Sequence, residues 1–157
     1  ILEVWKDWGK MTGRNYTPVE GYRMEGAKIA LLVMGSFCEN AMEAVDHLRE
    51  QGVPAGLIKL RLWRPFPFED IRRAMKGLET LVIMDRAISL GGIGGPVCSE
   101  IKSALYGQAK RPKVFSFIAG LGGRDVPPEH FEQMIHESLK LRKKKKVEEF
   151  MTIGIRG

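Results

Sequence analysis

Between residues 27 and 141 the sequence alternates short apolar runs with longer amphipathic stretches, and this pattern limits the possible folds most strongly. Each apolar run is typical of a strand buried on both faces, and each stretch between them repeats apolar residues at helical spacing. Four such β–α units predict a mostly parallel sheet with helices on both faces and right-handed crossovers. The predicted strands cover 27–34, 55–60, 81–84 and 114–118.

Local sequence features mark the ends of several helices. Ser36 and Glu39 have the spacing of a capping box, so we expect the Ser36 hydroxyl to cap the helix that ends near Gln51. The glycines of the 91–95 loop predict positive φ angles and a tight turn before the next helix. Their spacing does not match a dinucleotide fingerprint. Cradling of a cofactor by this loop is the alternative interpretation.

The chain divides into three segments by composition. Residues 1–25 mix aromatics with Gly and Pro, which predicts an arm or interdomain connector, with Val19–Met24 as a candidate edge strand. Residues 26–141 form the predicted α/β domain. Residues 142–157 are predicted to be a solvated basic helix extension followed by a weakly apolar tail. The first residue is Ile rather than Met, so we expect a piece of a longer polypeptide.

Charge and cysteine content exclude several classes of protein. The net charge is +6, but outside Lys140 and 142–146 the cations and carboxylates balance, so the basicity is a local block. Because this block lacks interleaved aromatics, a nucleic-acid partner is not expected. Cys38 and Cys98 are too few for an iron–sulfur cluster or a structural zinc site. No apolar run is long enough to span a membrane, and we expect a reducing cytoplasmic location.

Charged side chains follow each predicted strand, and ligands of open α/β sheets gather at that edge. These residues are candidates for an interface with another domain or subunit, for an anion site, or for plain solvated loops. Asp85 is expected to pair with Arg86 or Arg124. The candidate residues are Arg61, Arg64, Asp85, Arg86, Arg124 and Asp125.

No residue is predicted to be catalytic, cofactor-binding or metal-binding. His47, His130 and His136 have no partner at the spacing of a metal site or a catalytic triad. Ser36 does not lie in a nucleophile elbow. The residues alone therefore indicate an α/β domain without catalytic activity of its own.

Five motifs in order resemble one region of the 2-oxoacid:ferredoxin oxidoreductases, the pyruvate:ferredoxin oxidoreductase group. The resemblance is to the second domain of the α chain, and residues 5–27 also resemble the connector from its first domain. The motifs are Gly35-Ser36, KLRLWRPFP (59–67), VIMDR (82–86), GGIGGPV (91–97) and GLGGRDV (120–126).

The resemblance implies a fold like the transketolase C-terminal domain. That fold is a three-layer α/β/α sandwich on a mostly parallel five-stranded sheet with one antiparallel strand. The resemblance also implies that the parent complex oxidatively decarboxylates pyruvate or a related 2-oxoacid to acyl-CoA. That complex uses thiamine diphosphate, Mg²⁺ and iron–sulfur clusters, takes coenzyme A as co-substrate and passes electrons to ferredoxin.

This family's catalytic and cofactor-binding residues lie in other domains or chains, so none transfers to this chain. The leading hypothesis is a structural domain that organises the other domains and subunits, with ferredoxin reached through the complex. Alternatives are a stand-alone small-molecule anion-binding module, or a nucleic-acid-associated protein using the 140–146 block. The isolated chain is predicted to be inactive.

Overall fold

The computed structural model describes residues 1–155, which form five α-helices and six β-strands. In chain order they are α1 (Leu2–Thr12), β1 (Val19–Tyr22), β2 (Ile29–Met34), α2 (Phe37–Glu50), β3 (Ala55–Leu60), α3 (Phe68–Ala74), β4 (Thr80–Asp85), α4 (Pro96–Leu105), β5 (Lys113–Ile118), α5 (Pro128–Leu141) and β6 (Met151–Thr152). A short 3₁₀ turn covers Leu121–Gly123.

The strands form one mixed sheet in the order β1-β3-β2-β4-β5-β6. Strands β2 to β6 are parallel, and β1 pairs antiparallel with β3, so the expected antiparallel edge strand is confirmed. The sheet has six strands rather than the expected five. The sixth, β6, pairs through only Met151 and Thr152, and two residues are too few to show strand periodicity.

The helices cover both faces of the sheet and give three layers. Alternate residues of β2 point to opposite faces: Leu31 packs in the core beneath α2 and α5, while Leu32 packs in the core beneath α3 and α4. All residues of β3 and β4 are buried, as strands between two helical layers require. The predicted α/β/α sandwich is confirmed.

The first segment contains a helix that the sequence analysis missed. Helix α1 ends at Thr12 and is capped by Gly13, which has a φ of 74°, and its apolar side chains remain largely exposed within the chain. Ile1, Val4, Trp8 and Met11 recur at helical spacing. Two glycines and one proline that follow in 13–21 obscured this repeat. Whether 1–25 acts as a connector stays a prediction.

The predicted capping box at Ser36 is wrong. The Ser36 side chain makes no capping hydrogen bond, and its backbone is already helical at φ −63° and ψ −24°. Instead, the Cys38 amide donates to the Gly35 carbonyl at 3.1 Å, and the Glu39 amide donates to the Ser36 carbonyl at 3.2 Å. Backbone turns therefore satisfy the amides that a cap would have bound.

The predicted basic helix extension is also wrong, because α5 ends at Leu141. Five consecutive cations over 142–146 would repel one another along a continued helix. Lys113 stabilises the exit instead: its Nζ donates to the carbonyls of Arg142 at 2.9 Å and of Lys144 at 2.6 Å. The chain then turns back to form β6.

Candidate functional site: the carboxyl edge of the sheet

Parallel strands β2 to β5 end at one edge, which we call the carboxyl edge. The chain runs from β2 to β3 on one side, and β4 lies on the other side of β2, so a topological switch point lies between β2 and β4. A crevice of about 280 Å³ opens at this point, lined by Ser36, Phe37, Trp63 and Arg86 among others. Binding sites of open α/β sheets occur at such crevices.

Arg61 is bound by Glu20 from strand β1. The Arg61 Nε lies 2.6 Å from Glu20 Oε2, and the other carboxylate oxygen lies 2.9 Å from the Nζ of the buried Lys59. The hydrogen bond from Arg61 lowers the pKa of Glu20, and burial opposes it only in part. The Arg61 guanidinium also lies 5.2 Å from the Tyr16 ring centroid. The antiparallel register brings Glu20 beside both cations.

Arg64 forms a bidentate ion pair with Glu100 of α4. Its Nη1 and Nη2 lie 2.8 Å and 2.5 Å from the two Glu100 oxygens, and the Trp63 indole donates to the same carboxylate at 2.7 Å. These contacts lower the pKa of Glu100, and the hydrogen bond from Arg64 has the largest effect. The arrangement fixes the RLWRPF loop against α4.

Asp85 is buried and caps helix α4. Its two oxygens accept hydrogen bonds from the Val97 amide at 2.9 Å and the Cys98 amide at 3.0 Å. Burial raises the pKa of Asp85, and the two amide bonds oppose this shift. The expected pairing with Arg86 or Arg124 is wrong, because the carboxylate turns inward to the helix. A Cβ at Gly95 would collide with this carboxylate, which explains the glycine before the helix.

The remaining candidate residues also contact their own chain. Arg86 Nε donates to the Gly120 carbonyl at 3.3 Å, and its guanidinium lies 5.1 Å from the Phe37 ring centroid. Arg124 donates to the Gly154 carbonyl at 3.0 Å. Asp125 accepts from the amide of the next residue at 2.9 Å. All six candidate side chains therefore lie at this edge, but the structure joins them to separate partners.

Large apolar side chains are exposed at the same edge. Leu90 is fully exposed and Ile93 is 71% exposed, and both belong to the loop that follows β4. Phe68 at the start of α3 is half exposed. Helix α1 joins this edge through Tyr16, whose ring lies 6.2 Å from Trp5 and also contacts Arg61. Exposed apolar side chains gathered on one edge are a feature of partner-binding surfaces.

The sequence analysis missed the residues that engage the arginines. Glu20 and Glu100 are distant in sequence from their partners, and only the strand register and the β3–α3 connection bring them close. The exposure of Leu90 and Ile93 could have been predicted from the sequence, because a glycine-rich loop has few side chains with which to bury them. His47 contacts Glu132 at 3.1 Å, which raises the pKa of His47, but it lies on exposed helix surface away from this edge.

A metal site needs several ligand side chains close together. Within residues 1–155, no three His, Cys, Asp or Glu side chains are arranged to hold a metal ion. Cys38 and Cys98 are free, buried thiols in separate cores on opposite faces of the sheet, so they cannot ligate one cluster together. In the same part of the chain, no helix has the length and apolar character that a membrane span requires.

The layered mixed sheet with one antiparallel edge strand defines an α/β/α domain like the transketolase C-terminal domain. Residues 27–131 match the family of pyruvate:ferredoxin oxidoreductase core domain II. The chain belongs to this family, and the resemblance inferred from the five motifs is confirmed.

Curated relatives extend the similarity beyond the matched residues. The chain is 39% identical to pyruvate synthase subunit PorA of Thermotoga maritima over 137 residues, which are 87% of this chain and 35% of that protein. It is 35% identical to the PorA subunit of Pyrococcus abyssi over 157 residues, 99% of this chain and 40% of that protein. It is 36% identical over 139 residues to the α subunit of NADH-dependent phenylglyoxylate dehydrogenase of Aromatoleum evansii, 88% of this chain and 33% of that protein. The chain thus spans about a third of the length of these relatives.

Solved structures confirm the fold class. A 2-oxoglutarate:ferredoxin oxidoreductase from Magnetococcus marinus superimposes with a TM-score of 0.57 at 18% identity, over 79% of this chain and 20% of that chain. A split-gene transketolase superimposes with a TM-score of 0.59 at 18% identity, over 83% of this chain and 44% of that chain.

Proposed function

We propose that this chain is the second domain of the α chain of a 2-oxoacid:ferredoxin oxidoreductase, and that it organises the complex without taking part in the chemistry. One observation carries this proposal: each candidate charged side chain of the carboxyl edge binds its own chain, while apolar side chains of that edge are exposed. Exposed apolar surface beside fixed arginines is suited to a protein partner.

The cofactors of the parent complex do not fit the residues that gather at the carboxyl edge. A diphosphate bound through Mg²⁺ needs free cations and grouped carboxylates, whereas Arg61 and Arg64 are neutralised by Glu20 and Glu100. Iron–sulfur clusters need several neighbouring thiolates, and the two thiols lie in separate cores. We therefore propose that thiamine diphosphate, Mg²⁺, the clusters and coenzyme A are held by other domains and subunits, in the cytoplasm.

An interface explains the carboxyl edge better than a small-molecule anion site. Recruiting Arg61 or Arg64 to an anion would first require breaking a short ion pair with a carboxylate. The guanidinium of Arg86 stacks on the Phe37 ring, and its Nε donates a hydrogen bond to the Gly120 carbonyl. Paired and stacked arginines are common in protein interfaces, where they keep their position when water is excluded.

Charge introduced at the exposed apolar loop tests this proposal. The double substitution Leu90→Glu and Ile93→Glu would be made in the complete protein that contains this chain, co-expressed with its partner subunits. Because carboxylates at a desolvated interface are costly, we expect the molar mass measured by light scattering to fall below that of the wild-type assembly.

Tyr106→Glu is the matched control, because Tyr106 is 84% exposed and lies at the opposite edge, after α4. The control should assemble as the wild type does. Normal assembly of the Leu90 and Ile93 variant would show that this edge is not an interface.

A further inference from the structure

The opposite edge of the sheet, where the parallel strands begin, has a different character. We call it the basic amino edge and define it by an open groove of about 870 Å³ and by the 142–146 run beside it. The groove lies between the ends of α3 and α4. Five cations line it, with two carboxylates: Arg72, Arg73, Lys76, Lys110, Arg111, Glu69 and Glu79.

The fold brings the distant basic run to this groove. Glu79 lines the groove, and its carboxylate lies 3.5 Å from Nη1 of Arg142 and 3.8 Å from Nζ of Lys28. Lys113, which follows the groove residue Pro112, holds the carbonyls of Arg142 and Lys144. The basic block over 142–146 is therefore part of a continuous surface with the groove.

Helix dipoles account for only some of these cations. Helices α2, α3, α4 and α5 all end at this edge, and cations in their last turns complement the negative helix ends. Lys110, Arg111 and the lysines 143–146 lie beyond those last turns. Their positive charge is therefore not explained by interaction with the helix ends.

The described carboxylates of residues 1–155 leave part of the positive charge at this edge unpaired. Glu69 and Asp70 pair with Arg72 and Arg73, and Glu79 is shared between Lys28 and Arg142. Within residues 1–155, seven further cations of this edge form no ion pair with a carboxylate: Lys76, Lys110, Arg111 and the four lysines 143–146.

We infer that the basic amino edge is a docking surface for an acidic protein. The groove is open to solvent, so a protein surface can reach it. Arg72 and Arg73 are held by Glu69 and Asp70, and their guanidinium groups can bind further carboxylates of a partner. The interspersed Glu69, Asp70 and Glu79 would repel the uniform phosphate track of a nucleic acid, but they match the mixed charges of a protein face.

This inference rests on the proposed function in one respect: a domain held in a complex by its carboxyl edge leaves its amino edge open to a second partner. Exposed, unpaired charges steer association and make it dependent on salt. The surface therefore suits a partner that binds and leaves, in contrast to the apolar edge.

Fluorescence anisotropy with labelled decaglutamate tests the inference on the 157-residue chain. We expect saturable binding at about 50 mM salt that weakens as salt is raised, because exposed charges are screened. The double variant Lys110→Glu and Arg111→Glu should weaken binding about tenfold or more. Both residues are exposed, and circular dichroism would verify that the variant folds.

A charge-matched control separates a local site from overall charge. Lys6→Glu with Lys10→Glu changes the net charge equally, but these residues are exposed on α1. This control should change the affinity by less than about twofold. Equal weakening by both double variants, or no binding by the wild type, would overturn the inference.

Two further probes distinguish other classes of partner. Oligothymidine of matched charge and vesicles containing phosphatidylserine would be titrated under the same conditions. Tighter binding of either one than of decaglutamate would overturn the inference in favour of a nucleic-acid or membrane surface. Because the Leu90 and Ile93 variant tests the other edge, either proposal can fail while the other stands.

Discussion

Removing Glu20 should destabilise the domain more than removing any exposed carboxylate. Glu20 lies 2.9 Å from Lys59 and 2.6 Å from Arg61. Lys59 is only 6% exposed, and its Nζ lies 5.7 Å from the Tyr22 ring centroid, which cannot replace a carboxylate as its partner. Breaking a fully buried pair costs about 3–5 kcal/mol. Because a third of the Glu20 side chain reaches water, we expect about 2 kcal/mol for Glu20→Ala.

Urea unfolding followed by tryptophan fluorescence and circular dichroism measures this loss. For a chain of this size, a loss of about 2 kcal/mol corresponds to a fall in Tm of roughly 4–8 °C. Glu69→Ala is the control, because the Glu69–Arg72 pair lies on the surface and should change stability by less than about 0.5 kcal/mol. The added substitution Lys59→Met should restore most of the loss, because it removes the unpaired charge.

The effect of Glu20 should depend on pH in a defined direction. Its pKa is lowered by Arg61 in the folded state, from an ordinary value of 4.5. Its charged form therefore stabilises the fold above the unfolded pKa, and this contribution is lost as the pH falls through the folded pKa. The difference between wild type and Glu20→Gln should shrink over that acid range. A loss for Glu20→Ala no larger than for Glu69→Ala would refute the reasoning.

Two further predictions concern the loop before α4 and the buried thiols. Gly95→Ala should lower the free energy of urea unfolding by about 2 kcal/mol, because its Cβ would collide with the Asp85 carboxylate, whereas Gly107→Ala meets nothing within 4 Å and should be nearly neutral. An equal effect at both glycines would contradict the role of Asp85 as a cap. Cys38, whose pKa burial raises to about 11, should resist a thiol reagent at neutral pH until the chain unfolds. Rapid labelling of Cys38 in the folded chain would contradict its burial.

Periodicity was sufficient to predict strands β2 to β5 and helices α2 to α5. The second strand was predicted at 55–60 and is found at Ala55–Leu60, because a run buried on both faces has sharp ends. Helix α1 was missed because Gly13, Pro18 and Gly21 follow it closely and obscure its short apolar repeat. Strand β6 was missed because its stability comes from pairing with β5 rather than from its own sequence.

The position of the candidate residues followed from the sequence, whereas their hydrogen-bond partners did not. The six charged residues lie at the carboxyl edge because parallel strands end together, and that follows from the fold class alone. Their partners depend on long-range register: Glu20 reaches Arg61 only because β1 runs antiparallel to β3. Asp85 was expected to bind an arginine, but the free amides at the start of α4 lie closer to it.

We assign different roles to the two edges of the sheet. The carboxyl edge exposes apolar side chains beside arginines that are already paired, which suits a lasting interface. The amino edge exposes unpaired cations, which suits a transient partner. This division follows from the direction of the strands.

Turnover per assembled complex tests the central claim most directly. The complete protein with Leu90→Glu and Ile93→Glu would be separated by size. Reduction of a viologen dye would be measured on each fraction with coenzyme A and the 2-oxoacid that the wild-type complex oxidises. Our account predicts less complex but unchanged turnover in the complex that remains. A fully assembled complex with lost turnover would contradict it, and would show that this edge takes part in the chemistry.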